Sequence, residues 1–578
     1  MLCKFQVFNP IAIELSPHIG NQLLECRGYC KSPALFLKKI CPSLKAVAKH
    51  PLIILKVYHD ADDESRTLSR RQGLSIVRKL VAGFRKAGLK KGDCFAVTSF
   101  SDIMYSMVFL GGVAAGRVFS GTNPAYRVAE MRHHIRTTEV KFFIVEPELL
   151  DVVIEGATRE GIPKDCIFVF NVRGQKVPYG FRSWEWLLQH GEEDWERITD
   201  LETLKRTDVA RLTTSGTTGL PKTACQSHYN ATSFHTVIAT KSQASITWEP
   251  RTISPLPMFH VATVPAVHAS PFRTGHPIWI MRRFKLEPFL AGIEKHQVTN
   301  LAVIPPLVTA IINSPLSKKY SLKSVRTAVS GVAPLDAGSQ REMRKLLAPG
   351  VTFTQLWGLT ETTGAMTLFP YPEEDDTGSV GRLIPNTDVK LVDEDGKDIT
   401  AFDVRGEICV RGPTVVRQYY RNSKANAETW DEDGYLHTGD ILYCDSKTKL
   451  WYIVDRKKEL IKVRGFQVAP PELEAALLQA KDDIADVAVI GLKSQPDSDA
   501  ERPRAYVVRK PGSDITEAGV KRLIDDHLAS YKQLTGGVVF LDEIPRSPTG
   551  KILKRVLREW AGTEEKENVT TRRALIPL

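Results

Sequence analysis

A run of hydroxyl-bearing residues and glycines between Thr213 and Lys222 has the composition of a phosphate-binding loop. It reads TTSGTTGLPK and follows a short β-type segment. Glycines let backbone N–H groups approach phosphate oxygens, Ser and Thr hydroxyls donate to them, and a lysine supplies charge.

The kinase-type phosphate loop is excluded, because it needs four residues between its glycines and a glycine before its lysine. Here two residues separate Gly216 from Gly219, and Pro221 precedes Lys222. A flexible linker is the plain alternative, but a Leu-Pro-Lys ending is not typical of linkers.

Four further segments hold single polar residues whose chemistry depends on their surroundings. Glu361 lies in QLWGLTETTG, His260 in PLPMFHVA, Asp440 in YLHTGD and Lys551 in PRSPTGKILKR. Taken singly, these residues read as a loop glutamate, a packed core histidine, an aspartate in a turn and a lysine after a turn. The charged run VDRKKELIKVRG alone reads as a solvated helix face.

The composition indicates a multidomain globular protein. The chain has 578 residues, of which 42% are hydrophobic and 25% charged. No stretch approaches the ~20 apolar residues of a membrane span. The N-terminal segment holds Pro10, Glu14 and Pro17 within its apolar part, unlike a secretion signal. Stable membrane insertion and secretion are therefore not expected, and the cytoplasm is the expected location.

The cysteine positions and the charge pattern limit which ligands and partners are expected. The nine cysteines are scattered, and Cys26, Cys30 and Cys41 lack a second pair or a histidine at zinc-site spacing. The formal net charge is +11, but basic residues alternate with acidic ones rather than forming a block. This favours a solvated basic surface, suited to polyanionic small molecules, over a nucleic-acid partner.

Alternating helical and β-type segments predict a mainly parallel α/β sheet. Apolar residues recur at helical spacing from Leu74 to Phe84, and Gly88 offers a left-handed stop. Short apolar runs such as CFAVTSF, KFFIVE, NLAVIPP and RTAVSG alternate with helical stretches and end in small or polar residues. Ligands of open α/β sheets gather at the carboxyl ends of the strands.

The pattern of predicted secondary structure changes in the last third of the chain. After about residue 385, shorter segments with DEDG turns indicate a β-rich subdomain. The charged run then leads into PPELEAALLQA and ADVAVIGL, which predict a small α+β unit. We place a hinge near Asp455 to Lys458.

In their order, these motifs resemble the adenylate-forming (AMP-binding) superfamily of acyl-CoA synthetases, luciferases and peptide-synthetase adenylation domains, and 4-coumarate:CoA ligases most of all. The likeness runs from about Leu68 to Arg555. It implies a large AMP-binding domain of mainly parallel α/β subdomains plus a β-rich subdomain, and a small mobile α+β C-terminal AMP-binding domain. We place the large domain at residues 1–455, with residues 1–60 poorly matched and the β-rich part at about 385–455, the small domain at 456–561 and a polar tail at 562–578.

The resemblance implies an ATP site. Thr360 would contact phosphate, Glu361 would bind Mg²⁺, and Asp440 with Arg456 would hold the ribose. The family usually has Gly-Tyr where this chain has Leu356 and Trp357. The larger side chains of this chain are expected to make the adenine wall bulkier. The full set implied for ATP or AMP is Thr214, Ser215, Gly216, Thr217, Thr218, Gly219, Lys222, Ala333, Gln355, Leu356, Trp357, Thr360, Asp440, Arg456, Lys458, Lys462 and Lys551.

The catalytic residues implied are Lys551, His260, Thr360 and Glu361. During adenylation a carboxylate meets the α-phosphate, and a mobile ammonium such as that of Lys551 can neutralise both anions. Lys458 matches the pivot about which the small domain turns in the family. Residues implied for coenzyme A are Arg283, Arg464, Gly465 and Gln467.

The acyl pocket is implied to be mostly apolar. Its predicted residues are His260, Ala262, Val303, Gly331, Val332 and Gln355. Ala262 stands where coumarate ligases often have tyrosine, so coumarate itself is disfavoured. A medium-chain, branched or aryl acid of specialised metabolism is the preferred class.

The resulting hypothesis is an ATP-dependent acyl-CoA ligase that forms acyl-AMP, releases pyrophosphate and transfers the acyl group to coenzyme A. One alternative is a stand-alone adenylating enzyme, amino-acid-activating or luciferase-like, that does not use coenzyme A. A second alternative is a non-catalytic scaffold. It is disfavoured because the polar residues of the motifs, which a scaffold would not need, are all present. The chain ends Ile-Pro-Leu rather than in a Ser-Lys-Leu peroxisomal signal. The specific acid and the oligomeric state stay open.

Overall fold

The structure, a computed structural model, describes residues 55–195, 197–214, 221–241, 245–463, 466–480, 482–493, 501–547 and 550–563. Cys26, Cys30 and Cys41 and most of the polar tail lie outside these ranges. Among the helices within them, none has both the length and the apolar content needed to cross a membrane.

Two seven-stranded sheets dominate the first part of the chain. The first sheet has the order β7-β6-β5-β3-β4-β8-β9 and is parallel except for the pair β8 and β9. Its strands are β3 (Cys94–Thr98), β4 (Val118–Gly121), β5 (Val140–Val145), β6 (Ile167–Val169), β7 (Arg182–Ser183), β8 (Asp208–Thr213) and β9 (Thr223–Ser227).

The second sheet has the order β14-β13-β12-β10-β11-β1-β2. All its strand pairs are parallel except the pair of β1 with β2, which is antiparallel. Its strands are β1 (Lys56–Asp60), β2 (Thr67–Ser69), β10 (Thr252–Ser254), β11 (Ile278–Ile280), β12 (Asn300–Val303), β13 (Thr327–Ser330) and β14 (Thr352–Gln355). The mainly parallel α/β architecture predicted from the sequence is confirmed.

Helices cover these sheets and connect their strands. They are α1 (Arg70–Lys86), α2 (Ile103–Ala114), α3 (Val128–Thr138), α4 (Leu150–Arg159), α5 (Leu201–Arg206), α6 (His228–Lys241), α7 (Ser270–Thr274), α8 (Leu286–Lys295), α9 (Pro305–Asn313), α10 (Leu316–Lys319) and α11 (Ala337–Leu346). A π-helix spans Val264–Ala269, and short 3₁₀ helices span Pro147–Leu149, Lys164–Cys166, Trp184–Leu188 and Thr360–Thr362.

The first helix shows how local sequence sets an element. Ser69 caps α1, where its side chain accepts from the Gln72 N–H and the Gln72 side chain reaches back to the Ser69 N–H. Gly88 lies just beyond the helix with a φ of 86°. The predicted helix from Leu74 to Phe84 and its glycine stop are therefore confirmed.

Helix α2 joins the two large sheets into one core. It is apolar on all sides, and all its residues except Met104 are buried. Its side chains pack in one cluster with Phe95 and Phe119 of the first sheet and with Tyr58 and Ile278 of the second. The site described below lies between these two sheets, so this shared core fixes their relative position.

The last third of the chain is built from shorter strands. A third sheet, antiparallel in the order β19-β20-β21-β22, follows two small hairpins. The elements are β15 (Gly358–Leu359), β16 (Gly364–Ala365), β17 (Thr367–Leu368), β18 (Arg382–Leu383), β19 (Asp388–Val392), β20 (Gly406–Arg411), α12 (Ser423–Thr429), β21 (Leu436–Cys444) and β22 (Trp451–Arg456).

An α+β unit with its own core closes the chain. Its elements are β23 (Ile461–Val463), β24 (Phe466–Val468), α13 (Pro470–Leu477), β25 (Ile484–Lys493), β26 (Glu501–Arg509), α14 (Glu517–Asp525), a 3₁₀ helix at Ser530–Lys532 and β27 (Gly537–Phe540). A helical segment begins at residue 554 and extends to the end of the described chain.

Candidate active site

A cavity of about 1060 Å³ lies where the three sheets and the C-terminal unit meet. His260, Val332 and Leu356, which line it, follow the carboxyl ends of β10, β13 and β14. This is where a parallel sheet presents its ligand-binding loops.

The ends of the predicted phosphate loop are fixed by a hairpin. Strands β8 and β9 pair antiparallel, with Thr213 opposite Thr223. The Thr214 N–H donates to the Lys222 carbonyl oxygen at 2.7 Å, and the Lys222 N–H donates to Thr214 Oγ1 at 3.1 Å. Both residues line the cavity. Residues 215–220 lie outside the described residues, so the phosphate contacts of five loop residues stay predictions: Ser215, Gly216, Thr217, Thr218 and Gly219.

Thr360 and Glu361 lie at the tip of the hairpin formed by β15 and β16, and both face the cavity. The hairpin needs glycine at position 358, because a Cβ there would lie 2.0 Å from the carbonyl oxygen of Gly364. The Glu361 carbonyl oxygen accepts from the Val416 N–H at 2.8 Å, which ties the tip to the neighbouring chain. The carboxylate is thus held at a defined place in the wall.

Tyr419 orients the Glu361 carboxylate. Its hydroxyl donates to Glu361 Oε1 at 2.7 Å, and its ring lies 4.8 Å from the Lys222 ammonium. Within the described ranges, Oε2 of Glu361 has no hydrogen-bond partner. Burial, followed by the Glu361 charge, raises the pKa of Tyr419, so the phenol stays a donor.

Asp440 and Arg456 are cross-strand neighbours on β21 and β22. Asp440 is 5% exposed, its Oδ1 lies 3.2 Å from Arg456 Nε, and its Oδ2 accepts from Trp357 Nε1 at 2.8 Å. Arg456 lines the cavity, whereas Trp357 packs in the core of the third sheet. Burial opposes the charge of Arg456, but Asp440 and other carboxylates raise its pKa overall.

Lys551 reaches the cavity from the C-terminal unit. Its turn is closed by the Ser547 N–H, which donates to the Lys551 carbonyl oxygen at 2.8 Å, and by the Lys551 N–H, which donates to Ser547 Oγ at 3.1 Å. Gly550 has a φ of 82° and lies against Ile304 and Pro306 of the second-sheet region. Burial and the charge of Arg456 lower the pKa of the Lys551 ammonium to about 8.

His260 is a neutral group in the cavity wall. Its Nδ1 accepts from the Ala262 N–H at 3.3 Å, which leaves the proton on Nε2. Burial, followed by the charge of Lys551, lowers its pKa to about 4. His260 is therefore a hydrogen-bond donor at neutral pH, not a cation.

Some of the residues predicted for the acyl pocket line the cavity, and others pack behind its wall. Ala262, Val332 and Leu356 line the cavity. Gly331 lies behind Leu356, since a Cβ at position 331 would lie 2.7 Å from Leu356 Cδ1. Val303 is 2% exposed and packs in the core of the second sheet.

Gln355 supports the neighbouring loop. Its amide oxygen accepts from the Leu335 N–H, and its amide nitrogen donates to the Leu335 carbonyl oxygen, both at 2.9 Å. These bonds hold the segment that carries Ala333, and neither Gln355 nor Ala333 is among the cavity residues. The geometry gives no support to a direct contact from Gln355 to the acid or the nucleotide.

The predicted coenzyme A residues do not meet in this cavity. Arg283 is exposed and stacks on Phe100 at 3.6 Å. Lys462, predicted for ATP, is exposed on β23 and pairs across strands with Gln467. Arg464 and Gly465 lie outside the described residues. Lys458 is exposed and lines the cavity beside Arg456, at the predicted pivot.

Two cavity residues carry charges that sequence patterns did not single out. A hydrogen bond with Cys409, followed by the Glu407 carboxylate 3.8 Å away, raises the pKa of His437 to about 10. Burial acts to raise the pKa of Glu407, but His437 and Lys457 hold it at about 2. Lys457 Nζ lies 3.0 Å from Glu407 Oε2. His437 lies three residues before Asp440 in YLHTGD, which was the available signal.

Family models match both parts of the chain. A model described as AMP-binding enzyme matches residues 45–420, and one described as AMP-binding enzyme C-terminal domain matches residues 472–551. The chain belongs to the AMP-binding enzyme family. The gap between the matches leaves the boundary placed at residues 455 and 456 a prediction.

Individual relatives agree with the family. The acyl-CoA ligase azaF of Aspergillus niger is 48% identical over 505 residues, which cover 87% of this chain and 94% of the relative. The phenylacetyl-CoA ligase epaB of Aspergillus niger is 48% identical over 507 residues, which cover 87% and 93%. The crystal structure of ATP-bound MatB from Rhodopseudomonas palustris superposes with a TM-score of 0.78 at 27% identity, covering 89% of this chain and 97% of that one.

These similarities confirm three predictions for this AMP-binding enzyme: the family, the α/β fold with a C-terminal domain, and the class of acyl-CoA synthetase, an AMP-forming acid-thiol ligase. ATP and coenzyme A as substrates fit the family.

Proposed function

We propose that this enzyme activates a carboxylic acid with ATP through the residues described above, and then passes the acyl group to coenzyme A. One observation carries the proposal: a single cavity brings together Lys222, Glu361, Arg456 and Lys551, which come from the first sheet, the β15–β16 hairpin, the third sheet and the C-terminal unit. Three cations suit the phosphates of a nucleotide, and a carboxylate beside them suits the Mg²⁺ that accompanies such phosphates.

In the first step an oxygen of the acid attacks the α-phosphorus of ATP. The bond from that phosphorus to the bridging oxygen breaks, and pyrophosphate leaves with the bond electrons. Lys551 neutralises the two anions as they meet, and the neutral His260 donates from Nε2 to orient the carboxylate. Asp440, held by Arg456, accepts hydrogen bonds from the ribose hydroxyls.

Glu361 is the residue proposed to hold Mg²⁺. Mg²⁺ prefers carboxylate and phosphate oxygens together with water, and one carboxylate oxygen of Glu361 is left without a protein partner in the described part of the chain. The ion would supply charge neutralisation for the phosphates. Tyr419, through its hydrogen bond, keeps the carboxylate pointing to that place.

In the second step the thiol of coenzyme A loses its proton to water and sulfur attacks the carbonyl carbon of the acyl-AMP. The bond from that carbon to the phosphate oxygen breaks, and AMP leaves with the bond electrons. This step requires Lys551 to leave the cavity, and the exposed Lys458 beside Arg456 is the proposed pivot. Arg283, Arg464, Gly465 and Gln467 remain the proposed coenzyme A residues.

The proposed acid is a medium-chain, branched or aryl acid of specialised metabolism, and the cytoplasm is the proposed location. Small or apolar side chains at Ala262, Val332 and Leu356 support an apolar acid. The phenylacetyl-CoA ligase relative makes aryl acids a necessary part of any substrate panel.

The test is pyrophosphate release with ATP, Mg²⁺ and a panel of acids, with and without coenzyme A. We expect release with some acids only, and formation of the acyl-CoA when coenzyme A is present. Acyl-AMP that is never converted to a thioester would favour the stand-alone adenylating enzyme. A flat response to every acid would favour the scaffold.

A further inference from the structure

Four polar side chains form one row across the second sheet, inside the cavity. Thr252 of β10 pairs with Asn300 of β12, Asn300 with Thr327 of β13, and Thr327 with Thr352 of β14. We call these four residues the polar row. All four line the same cavity as Lys551 and Glu361.

The polar row lies at the end of the sheet away from the nucleotide residues. Its members are the first residues of their strands, whereas His260, Val332 and Leu356 follow the strands' carboxyl ends. The next in-register row, Ala302, Val329 and Thr354, lies two residues closer to the nucleotide and lines the same cavity. At ~3.3 Å per residue, the polar row is ~7 Å deeper than that row.

Two polar groups of the row have no protein partner among the described residues. The hydroxyls of Thr327 and Thr352 satisfy each other at 2.9 Å. Asn300 Oδ1 accepts from Trp248 Nε1 at 3.0 Å and from Thr299 Oγ1 at 2.8 Å, which fixes the amide orientation. Within the described ranges, neither Asn300 Nδ2 nor the Thr252 hydroxyl makes a hydrogen bond, and both side chains are half-buried in the cavity wall.

We propose that the polar row binds an oxygen atom at the far end of the acid substrate. The inference rests on the proposed function and names its substrate class: an acyl chain of medium length with a hydroxyl or keto oxygen near its distal end. Asn300 Nδ2 donates to that oxygen, and the Thr252 hydroxyl donates to a ketone or accepts from an alcohol.

Hydrogen-bonding chemistry favours this class over a plain hydrocarbon tail. An unsubstituted chain that filled the cavity would cover the amide of Asn300 and leave it unpaired, which is unfavourable for a buried polar group. An oxygenated chain removes this cost. The middle of the chain passes Ala302 and Val329, whose small apolar side chains suit methylene groups.

The experiment compares matched acids on the intact enzyme. Octanoic, decanoic and dodecanoic acids are assayed beside the ω-hydroxy and terminal methyl-ketone forms of each, with pyrophosphate release giving kcat/KM. We expect the oxygenated form of at least one chain length to exceed its unsubstituted partner by about threefold to tenfold, the usual effect of one uncharged hydrogen bond.

Two variants assign the preference to the row. Asn300→Leu keeps the approximate size and removes the amide, and Thr252→Val removes only the hydroxyl. In each, the ratio of oxygenated to unsubstituted kcat/KM is expected to fall toward one. Thr354→Val is the matched control, because the same substitution one row nearer the nucleotide should keep the wild-type ratio, whatever its absolute rate.

The outcomes separate this inference from the function on which it rests. Pyrophosphate release with a ratio near one at every chain length, or a ratio that survives both Asn300→Leu and Thr252→Val, overturns the inference and leaves the ligase activity standing. No release with any acid overturns both. Both kcat/KM values of a ratio are measured on the same protein. A partial loss of folded enzyme lowers both by the same factor and leaves the ratio unchanged.

Discussion

The indole nitrogen of Trp357 donates a hydrogen bond to Asp440 Oδ2 at 2.8 Å, in the core of the third sheet. Arg456 Nε lies 3.2 Å from the other carboxylate oxygen. Asp440 is therefore held from two sides before any nucleotide arrives. A carboxylate positioned in advance loses little conformational freedom on binding, so in the proposed ribose contact this arrangement would favour ATP affinity.

Replacing Trp357 by phenylalanine should weaken ATP binding. The substitution keeps an aromatic ring in the core but removes the donor to a charged acceptor, a type of hydrogen bond that contributes about 1.5–3 kcal/mol. We expect the KM for ATP in pyrophosphate release to rise about tenfold, with little change in the KM for the acid.

Trp451→Phe is the control for this prediction. Trp451 packs in the same core, so its replacement matches the loss of indole volume without touching Asp440. An equal rise in the ATP KM of both variants would mean that core packing, and not the hydrogen bond to Asp440, governs ATP binding.

Tyr419→Phe should change the dependence on magnesium. The phenyl ring keeps its place beside Lys222, and only the hydroxyl that donates to Glu361 Oε1 is lost. With the carboxylate free to rotate, we expect the Mg²⁺ concentration for half-maximal pyrophosphate release to rise about fivefold, the effect of ~1 kcal/mol.

The neighbouring tyrosine supplies the comparison. The Tyr420 hydroxyl donates to Glu139 at 2.7 Å, outside the cavity. Tyr420→Phe should therefore leave the Mg²⁺ dependence unchanged. If both variants or neither shift it, Tyr419 does not position Glu361 for the ion.

Much of the fold could be predicted because its signals are local. The run CFAVT is buried at every position of β3, and the 3.6-residue periodicity of α1 is visible without any partner. Local geometry carries some of the predicted site residues to the cavity wall, as the β15–β16 hairpin carries Glu361, and their roles stay predictions.

The remaining relationships depend on residues far apart in the chain. Trp357 and Asp440 are 83 positions apart, and Glu361 and Tyr419 are 58 apart. The polar row exists only through the register of four parallel strands, and no local pattern fixes that register. The hydrogen bonds of Gln355 to Leu335 were missed for the same reason, because a motif gives the position of a side chain but not its partner.

Lys551 should give the adenylation step an alkaline limit. Its ammonium loses its proton with a pKa of about 8, because burial and Arg456 disfavour the charge. In the proposed role the charged form is the active one, so kcat/KM for pyrophosphate release, which reports the ligand-free enzyme, should decline as pH rises through about 8. Conversion of supplied acyl-AMP to acyl-CoA should not show this Lys551 limit. Stopped-flow or quenched assays of the two half-reactions over pH measure each profile.

Two variants test this assignment. Lys551→Ala should abolish acyl-AMP formation but spare thioester formation from supplied acyl-AMP. Lys551→Arg keeps the charge at all accessible pH values, so its residual adenylation should lack the decline near pH 8. Equal loss of both half-reactions in Lys551→Ala would contradict the role of Lys551 in adenylation alone.

Asp455, the residue before Arg456, should make stability depend on pH. Burial raises its pKa from 3.8 to about 7, although the charge of Lys554 opposes the shift. Lys554 itself lies 3.6 Å from Glu459 and 3.4 Å from Glu474, so it keeps two carboxylate partners if Asp455 is neutral. Between these pKa values the folded protein binds a proton that the unfolded chain does not, and stability falls as pH rises toward 7.

Asp455→Asn removes this dependence, because the amide cannot ionise. We expect the Tm of the variant to exceed that of the wild type at pH 8, and the difference to shrink as pH falls toward 5, as followed by thermal melts. Asp525→Asn, at an exposed position of α14, should show no such trend. A wild-type Tm higher than that of Asp455→Asn at pH 8 would mean that the ionised carboxylate is stabilised by Lys554 by more than its burial costs.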